Sequence, residues 1–271
     1  MKYFYVISNL SKDYVLDVQD EVQSCLEKRG AVCRYMTDYE RMKNGRHTPG
    51  EYVPEDTQCI ITIGGDGTLI QAARDLAGRN IPMLGINRGH LGFLNQVDRT
   101  EDIDAAMDAL VNERFRLEHR MMLRGTVFHE GKPVFQDIAL NEIIATSAEH
   151  LRVLRYDLAV NDEYLNEYAA DGVMVATPTG STAYNLSAGG PVMAPAGRMM
   201  AVTPVCSHTL NARSIVISEE DRVKIGLLGK GLVTFDGDTS QKTGPGDYLI
   251  VERSHMETVM VKLKQISFMQ N

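Results

Sequence analysis

Short apolar runs and helix-period stretches alternate along the first third of the chain. YFYVIS reads as a buried strand, and AVCRYM, CIITI and IPMLGIN predict three more. Between them, DYVLDVQDEVQSCLEKRG carries Val15, Val18, Val22, Cys25 and Leu26 at helical spacing, with Gly30 as its stop. TLIQAARDLAG and TEDIDAAMDALVNERF predict two further helices, the second opened by a partial cap at Thr100. NGRHTPGEYVPEDT is a turn-rich loop. Strands alternating with helices point to a parallel α/β sheet.

The pattern changes near Arg116. RLEHRMMLRGTVFHEGKPVFQDIALNEIIATS reads as strands broken by a Glu130-Gly131 turn, and the next strands turn at Asn161-Asp162. RSIVI, RVKIGLL, LVTFDGD, GDYLIVERS and ETVMVKLK add more short strands. Regular spacing with turn signals predicts a sandwich-like all-β region. The expected organisation is therefore an α/β domain over 1–116 and an all-β domain from 117 onward.

A length of 271 residues fits one large or two ordinary domains, and is enough to bury a core without staples. The net charge of −8 argues against a broad nucleic-acid footprint, while a local basic pocket for a phosphorylated ligand stays open. Cys25, Cys33, Cys59 and Cys206 form no CxxC pair and no metal-ligand spacing. They are expected as small buried residues in a reducing cytoplasm. The first residues, MKYFYVISNLSKDY, lack the apolar run and cleavage site of a signal peptide, and no apolar run is long enough to span a membrane.

Three segments carry candidate chemistry. In IGGDGT, Gly64, Gly65 and Gly67 lie between a predicted strand and helix, where free backbone N–H groups and the helix dipole favour a phosphate. The alternative is a tight turn with no ligand. The turn is neither a Walker A loop nor a dinucleotide GxGxxG. Asp66 stands in the middle of it, and a carboxylate beside phosphates meets like-charge repulsion. Holding Mg²⁺, or taking a proton from a hydroxyl that attacks a phosphoryl group, would justify it. The second segment, DGVMVATPTGSTAYNLSAGGP, puts hydroxyls and glycines after a strand. It reads as a ligand loop, as a Ser/Thr-capped helix start stopped by Gly189-Gly190, or as both. In the third, LNEIIATS, Asn141 and Glu142 would face opposite sides of a regular strand. They reach one ligand only if the backbone turns there; otherwise they form a solvated edge.

These segments, in this order and with GINRGHLGFLN between the first two, closely resemble the NAD kinase family, bacterial type. SHTLNARSIVI and FDGD are similar to later family segments. The resemblance implies transfer of the ATP γ-phosphoryl group to the 2′-hydroxyl of the adenosine ribose of NAD, giving NADP. It implies a Rossmann-like α/β domain over 1–116, a β-sandwich NAD-binding domain over 117–254, and a segment 255–271 that packs back on the first. It implies a homotetramer or homodimer, Mg²⁺ or another divalent ion carried with ATP, no metal held by the protein alone, and no nucleic acid or membrane partner. Carried over, Asp66 is the general base, with Gly64, Gly65 and Gly67 at the nucleotide. Asn141 and Glu142 bind the adenosine half, Glu142 through ribose hydroxyls. Asp171 lies toward the nicotinamide half, where it can reach a ligand held by a neighbouring subunit. Thr182, Ala183, Tyr184 and Ser187 line the adenine side, with Thr179 close by. Arg152 falls where the family can place a basic contact; a solvated strand-end charge is the alternative.

Three positions depart from the pattern. Ala169 stands where some members have Arg or Gly, which leaves NAD against NADH open. Asp238 replaces the usual Gln after FDG and is not counted as a contact. Ser207 replaces the usual Pro, although His208 matches. ATP and polyphosphate both stand as donors. The competing readings are a lipid or sugar kinase with the same glycine turn, and a non-catalytic NAD(P)-binding regulator.

Overall fold

A computed structural model describes residues 1–11, 13–37, 40, 43–88, 93–208 and 212–263. Parts of GINRGHLGFLN (89–92), of SHTLNARSIVI (209–211) and of the C-terminal segment (264–271) lie outside the described residues. The chain divides into two compact units, Met1–His119 with the segment that starts at Glu257, and Arg120–Met256.

In the first unit, β1 (Tyr3–Ser8), β2 (Val32–Tyr35), β3 (Cys59–Ile63) and β4 (Met83–Ile86) pair in the order β2-β1-β3-β4, all parallel. Every residue of β3 and β4 is buried, as in a parallel sheet covered on both faces. Helix α1 (Val15–Glu27) buries Val15, Val18, Val22, Cys25 and Leu26, the periodic face read from the sequence. These pack with Phe4, Val6, Ile61 and Ile63 of the sheet and with Ile103, Met107 and Leu110 of a later helix. Two further helices of the unit are α2 (Asp66–Asp75) and α3 (Ile103–Val111), the latter carrying Ile103, Met107 and Leu110. The partial cap expected at Thr100 does not form. Thr100–Asp102 is a 3-10 turn leading into α3, and neither helix start has a side-chain cap.

The second unit holds β5 (Arg116–His129, from its fifth residue), β6 (Lys132–Ala139), β7 (Glu142–Ser147), β8 (Leu154–Val160), β9 (Glu163–Ala170) and β10 (Gly172–Ala176). The short helix α4 (Tyr184–Ser187) follows, then β11 (Met199–Val205), β12 (Ile215–Ser218), β13 (Val223–Leu227), β14 (Gly231–Phe235), β15 (Thr239–Thr243) and β16 (Tyr248–Lys262). One sheet runs β12-β11-β10-β7-β14-β15 with all pairs antiparallel. Opposite it, β8 pairs with β9 and β13, and β13 with the first part of β16. Alternation decides the inner face. β8, β13 and β14 bury every second residue near their starts. Tyr156, Leu158 and Ile225 thereby join Ile143, Val173, Val175 and Phe235 in one core.

The last residues of β16 belong to the first unit, where Met260 lies opposite Met83 and Val261 joins the core. Both turns read from the sequence are tight hairpins with positive φ at each central residue, Glu130-Gly131 and Asn161-Asp162. LVTFDGD ends as strand at Phe235 and turns the same way at Asp236-Gly237. The cysteine expectation fails in part. Cys25 and Cys59 are buried, Cys33 is half-buried, and Cys206 is exposed at φ 47°.

Candidate active site

The parallel strand β3 ends at Ile63, and the chain reverses through Gly64 and Gly65 into α2. Gly64 sits at φ 152°, and a Cβ there would lie 2.4 Å from Thr68 Oγ1, so the turn admits no side chain at this position. Asp66 is the first residue of α2 rather than the middle of a turn, so its charge meets the positive end of the helix dipole. Its carboxylate accepts hydrogen bonds from the Phe93 backbone N–H at 3.1 Å and from Asn95 Nδ2 at 2.5 Å. Burial raises the Asp66 pKa above the usual carboxylate value, and the hydrogen bonds from residues 93–95 work against that rise. Gly67 is exposed, with open space where a Cβ would stand. A cavity of about 630 Å³ opens beside the turn at the carboxyl ends of β1 and β3. Ligands of open α/β sheets bind at such ends.

In the second unit, the backbone does turn at the NE pair. β6 stops at Ala139 and β7 starts at Glu142, with Leu140 and Asn141 outside both strands. Asp236 causes the break, since its carboxylate accepts the backbone N–H groups of Leu140 (2.7 Å), Asn141 (2.8 Å) and Glu142 (3.0 Å). Thr177 braces the same bend by donating its hydroxyl to the Leu140 carbonyl at 2.6 Å. A Cβ on Gly180 would lie 2.2 Å from the Asn141 carbonyl oxygen, so only glycine fits. Glu142 is left strained electrostatically. Burial first, and then the Asp236 charge, push its pKa up to about 8. Glu142 Oε2 and Asn141 Oδ1 are both buried without a hydrogen-bond partner. Two adjacent orphan acceptors call for a ligand that supplies donors, such as hydroxyl or amino groups.

The segment after β10 divides by period. Thr177, Ser181 and Asn185, four residues apart, are buried and tie the backbone together. Ser181 Oγ donates to the Pro178 carbonyl and accepts the Met193 N–H; Asn185 Nδ2 donates to the Pro191 carbonyl. Thr182 and Ala183 are half-buried, while Tyr184 and Ser187 are exposed, and they form a rim. The capped helix expected here is instead a 3-10 turn, Gly180–Thr182, and the four-residue α4, with no side-chain cap at either start. Thr179 is buried and accepts a hydrogen bond from Arg120 Nη1 at 3.2 Å.

The ATP-NAD kinase N-terminal domain matches residues 10–115, and the ATP-NAD kinase C-terminal domain matches residues 140–263. The chain belongs to the NAD kinase family. It is 36% identical to an NAD kinase of Lachnospira eligens, over 100% of this chain and 98% of that one. It is 37% identical to an NAD kinase of Agathobacter rectalis, over 100% and 96%. Two solved structures share the fold. A yeast NADH kinase complexed with NADH has a TM-score of 0.85 at 21% identity, covering 98% of this chain and 84% of that one. An NAD kinase from Archaeoglobus fulgidus in complex with ATP has a TM-score of 0.79 at 23% identity, covering 98% and 95%.

Set beside the NAD kinase pattern, Gly64, Gly65, Asp66 and Gly67 fall together in the first unit. Asn141, Glu142, Thr179, Thr182, Ala183, Tyr184 and Ser187 belong to the second. Asp171 is exposed at the turn between β9 and β10. Arg152 is also exposed, in the connection between β7 and β8, where its N–H donates to the Glu149 carbonyl. Thr177 and Gly180 lie in the hydroxyl-and-glycine segment already read as a ligand loop, where they brace the backbone instead. Asn95, Arg120 and Asp236 were not singled out from the sequence. Asn95 closes GINRGHLGFLN and Asp236 opens the DGD of FDGD, so both lay inside family segments. Arg120 carries no such signal. Among the described residues no group of three or more His, Cys, Asp or Glu side chains forms a metal cage. Among the described residues no helix is long and apolar enough to cross a membrane either.

Proposed function

We infer that this chain is an NAD kinase, transferring the γ-phosphoryl group of ATP to the 2′-hydroxyl of the adenosine ribose of NAD. The observation that carries the chemistry is the Asp66 carboxylate, fixed by donors from residues 93–95 at the start of a helix that follows a glycine turn. In this reading Asp66 takes the proton of the attacking hydroxyl, and the N–H groups at the start of α2 face phosphate. Asn141 and Glu142 hold the adenosine ribose, supported by their orphan acceptor atoms. Thr182, Ala183, Tyr184 and Ser187 border adenine, with Thr179 behind them, and Asp171 serves the nicotinamide half. The divalent ion enters with ATP and offsets phosphate charge. The enzyme works in the cytoplasm, and as a homo-oligomer in which Asp171, an exposed residue, reaches a neighbour's ligand. Full activity of a 30.1 kDa monomer at nanomolar concentration would contradict that assembly.

The test is a coupled assay for NADP with purified protein, ATP, Mg²⁺ and NAD, run beside NADH, polyphosphate, diacylglycerol and fructose phosphate. NADP formation from NAD is expected. Phosphorylation of only the lipid or the sugar would overturn the assignment.

A further inference from the structure

The cavity in the first unit has three walls: the end of β1 with the residues after it, Gly65, Gly67 and Thr68 at the start of α2, and the 45–48 segment of the NGRHTPGEYVPEDT loop. Its charge is unusual for this chain. Acidic residues outnumber basic ones, 36 to 28, yet among the described lining residues there is no carboxylate and Arg46 is the one permanently charged side chain. Thr68 Oγ1, also in the lining, is buried without a hydrogen-bond partner. The start of the ten-residue helix α2 adds its positive dipole end. An anion suits such a lining.

The loop that brings Arg46 there has only one short 3-10 turn, Gly50–Tyr52, of its own. It is fastened at two points to the far end of α2. The Asp75 carboxylate accepts the Thr48 backbone N–H at 2.6 Å and Gln71 Nε2 at 2.9 Å, and lies 3.1 Å from His47 Nδ1. Just beyond the helix, the Arg79 guanidinium donates to the carbonyls of Gly50, Val53 and Pro54. The Asp75 side chain is only 12% exposed, so its bonds are shielded from competing water. One helix thus carries the phosphate turn at its start and the loop anchor at its end.

We propose that Asp75 is a positioning residue for the phosphoryl donor. It latches the Arg46–Thr48 segment as a wall of the cavity, and the wall binds the donor's polyphosphate chain. This rests on the kinase reading above and adds a residue pair that acts on one substrate alone. ATP and inorganic polyphosphate share the recognised chemistry.

The experiment uses the full chain and the variants Asp75→Ala, Asp75→Asn and Arg46→Ala. Steady-state kinetics give KM for ATP at saturating NAD and KM for NAD at saturating ATP. Calorimetry measures binding of ATP and of inorganic tripolyphosphate, and melting temperature reports folding. Asp75→Ala is expected to raise KM for ATP about tenfold, the usual effect of losing a charge-assisted hydrogen bond, and to leave KM for NAD within about twofold. Asp75→Asn keeps an acceptor for Thr48 and should fall between parent and alanine variant. Tripolyphosphate should weaken as much as ATP. Arg46→Ala should reproduce the ATP effect with an unchanged melting temperature, and it decides the matter if Asp75→Ala does not fold. A folded Asp75→Ala with unchanged KM for ATP overturns the proposal, as does an equal rise in both KM values. Weakening of ATP with tripolyphosphate unaffected overturns the polyphosphate assignment. If the parent makes no NADP, the kinase reading fails, while the tripolyphosphate titrations still judge the latch.

Discussion

Two carboxylates in this molecule, Asp66 and Glu142, are both partly buried, and their surroundings treat them in opposite ways. Asp66 is supplied with donors by its own unit, the Phe93 N–H and the Asn95 amide. Glu142 has a buried oxygen with no partner and the Asp236 charge nearby, and its pKa rises to about 8. A carboxylate already oriented and hydrogen-bonded is preorganised for chemistry. One left unsatisfied stays costly until a ligand brings donors, which is how binding energy is stored. In the proposed mechanism the first unit therefore supplies the group that reacts, and the second a group that recognises.

Substitutions can break this contrast, and the largest effect is expected at Asp66. Asp66→Asn keeps the size of the side chain but removes the base, so kcat should fall by roughly 10²–10⁴ while NAD affinity changes little. Steady-state kinetics with a direct NAD titration check both halves. At the second site the effect should move to the other parameter. Glu142→Ala should raise KM for NAD by roughly 10–100-fold, the range for lost hydrogen bonds to a charged group, with kcat largely kept. A collapse of kcat at unchanged KM would remove the distinction between the two carboxylates.

Asn95→Ala sharpens the comparison by taking from Asp66 one of its donors. A roughly tenfold loss in kcat is expected, the scale of one hydrogen bond. A rate equal to the parent's would show that the amide orients nothing. The smallest effect concerns stability. The folded-state pKa of Glu142 lies above its unfolded value, so its neutral form fits the fold. The stability it contributes is complete below the ordinary glutamate range and is lost as pH rises toward about 8. Glu142→Gln mimics the neutral form. Its melting temperature should match the parent's in acid and exceed it above pH 8, and thermal scans across pH would show a constant difference if Glu142 were in fact comfortable as an anion.

Much of this was legible before the fold was known. Helix α1 follows from Val15, Val18, Val22 and Leu26 because one periodic stripe settles both the element and its buried face. The turn at Asn161-Asp162 follows because both residues tolerate positive φ. Asp66 stood out because a carboxylate in a glycine turn needs a reason. What stayed hidden depends on long-range contact. Asp236 is remote in sequence from Leu140, Asn141 and Glu142, yet its one side chain bends their backbone. Gly180 matters only because the Asn141 carbonyl comes so close to it. Asn95 reaches Asp66 although the rest of α2 and the strand β4 lie between them in the chain. Local pattern carries no record of such distant approaches. The failed cap at Thr100 shows the reverse error, a local signal that the 3-10 entry to α3 overrode.

The most direct test of the central claim, that Asp66 is the base, is the pH dependence of kcat at saturating NAD and ATP for the parent and for Asp66→Asn. Saturation keeps Glu142 occupied by its ligand, so its titration leaves the profile. Burial raises the Asp66 pKa, and a general base acts in its ionised form. The parent rate should therefore fall as pH drops through that raised value, and the residual rate of Asp66→Asn should lack this acid limb. An acid limb of the same position and depth in the variant would contradict the account.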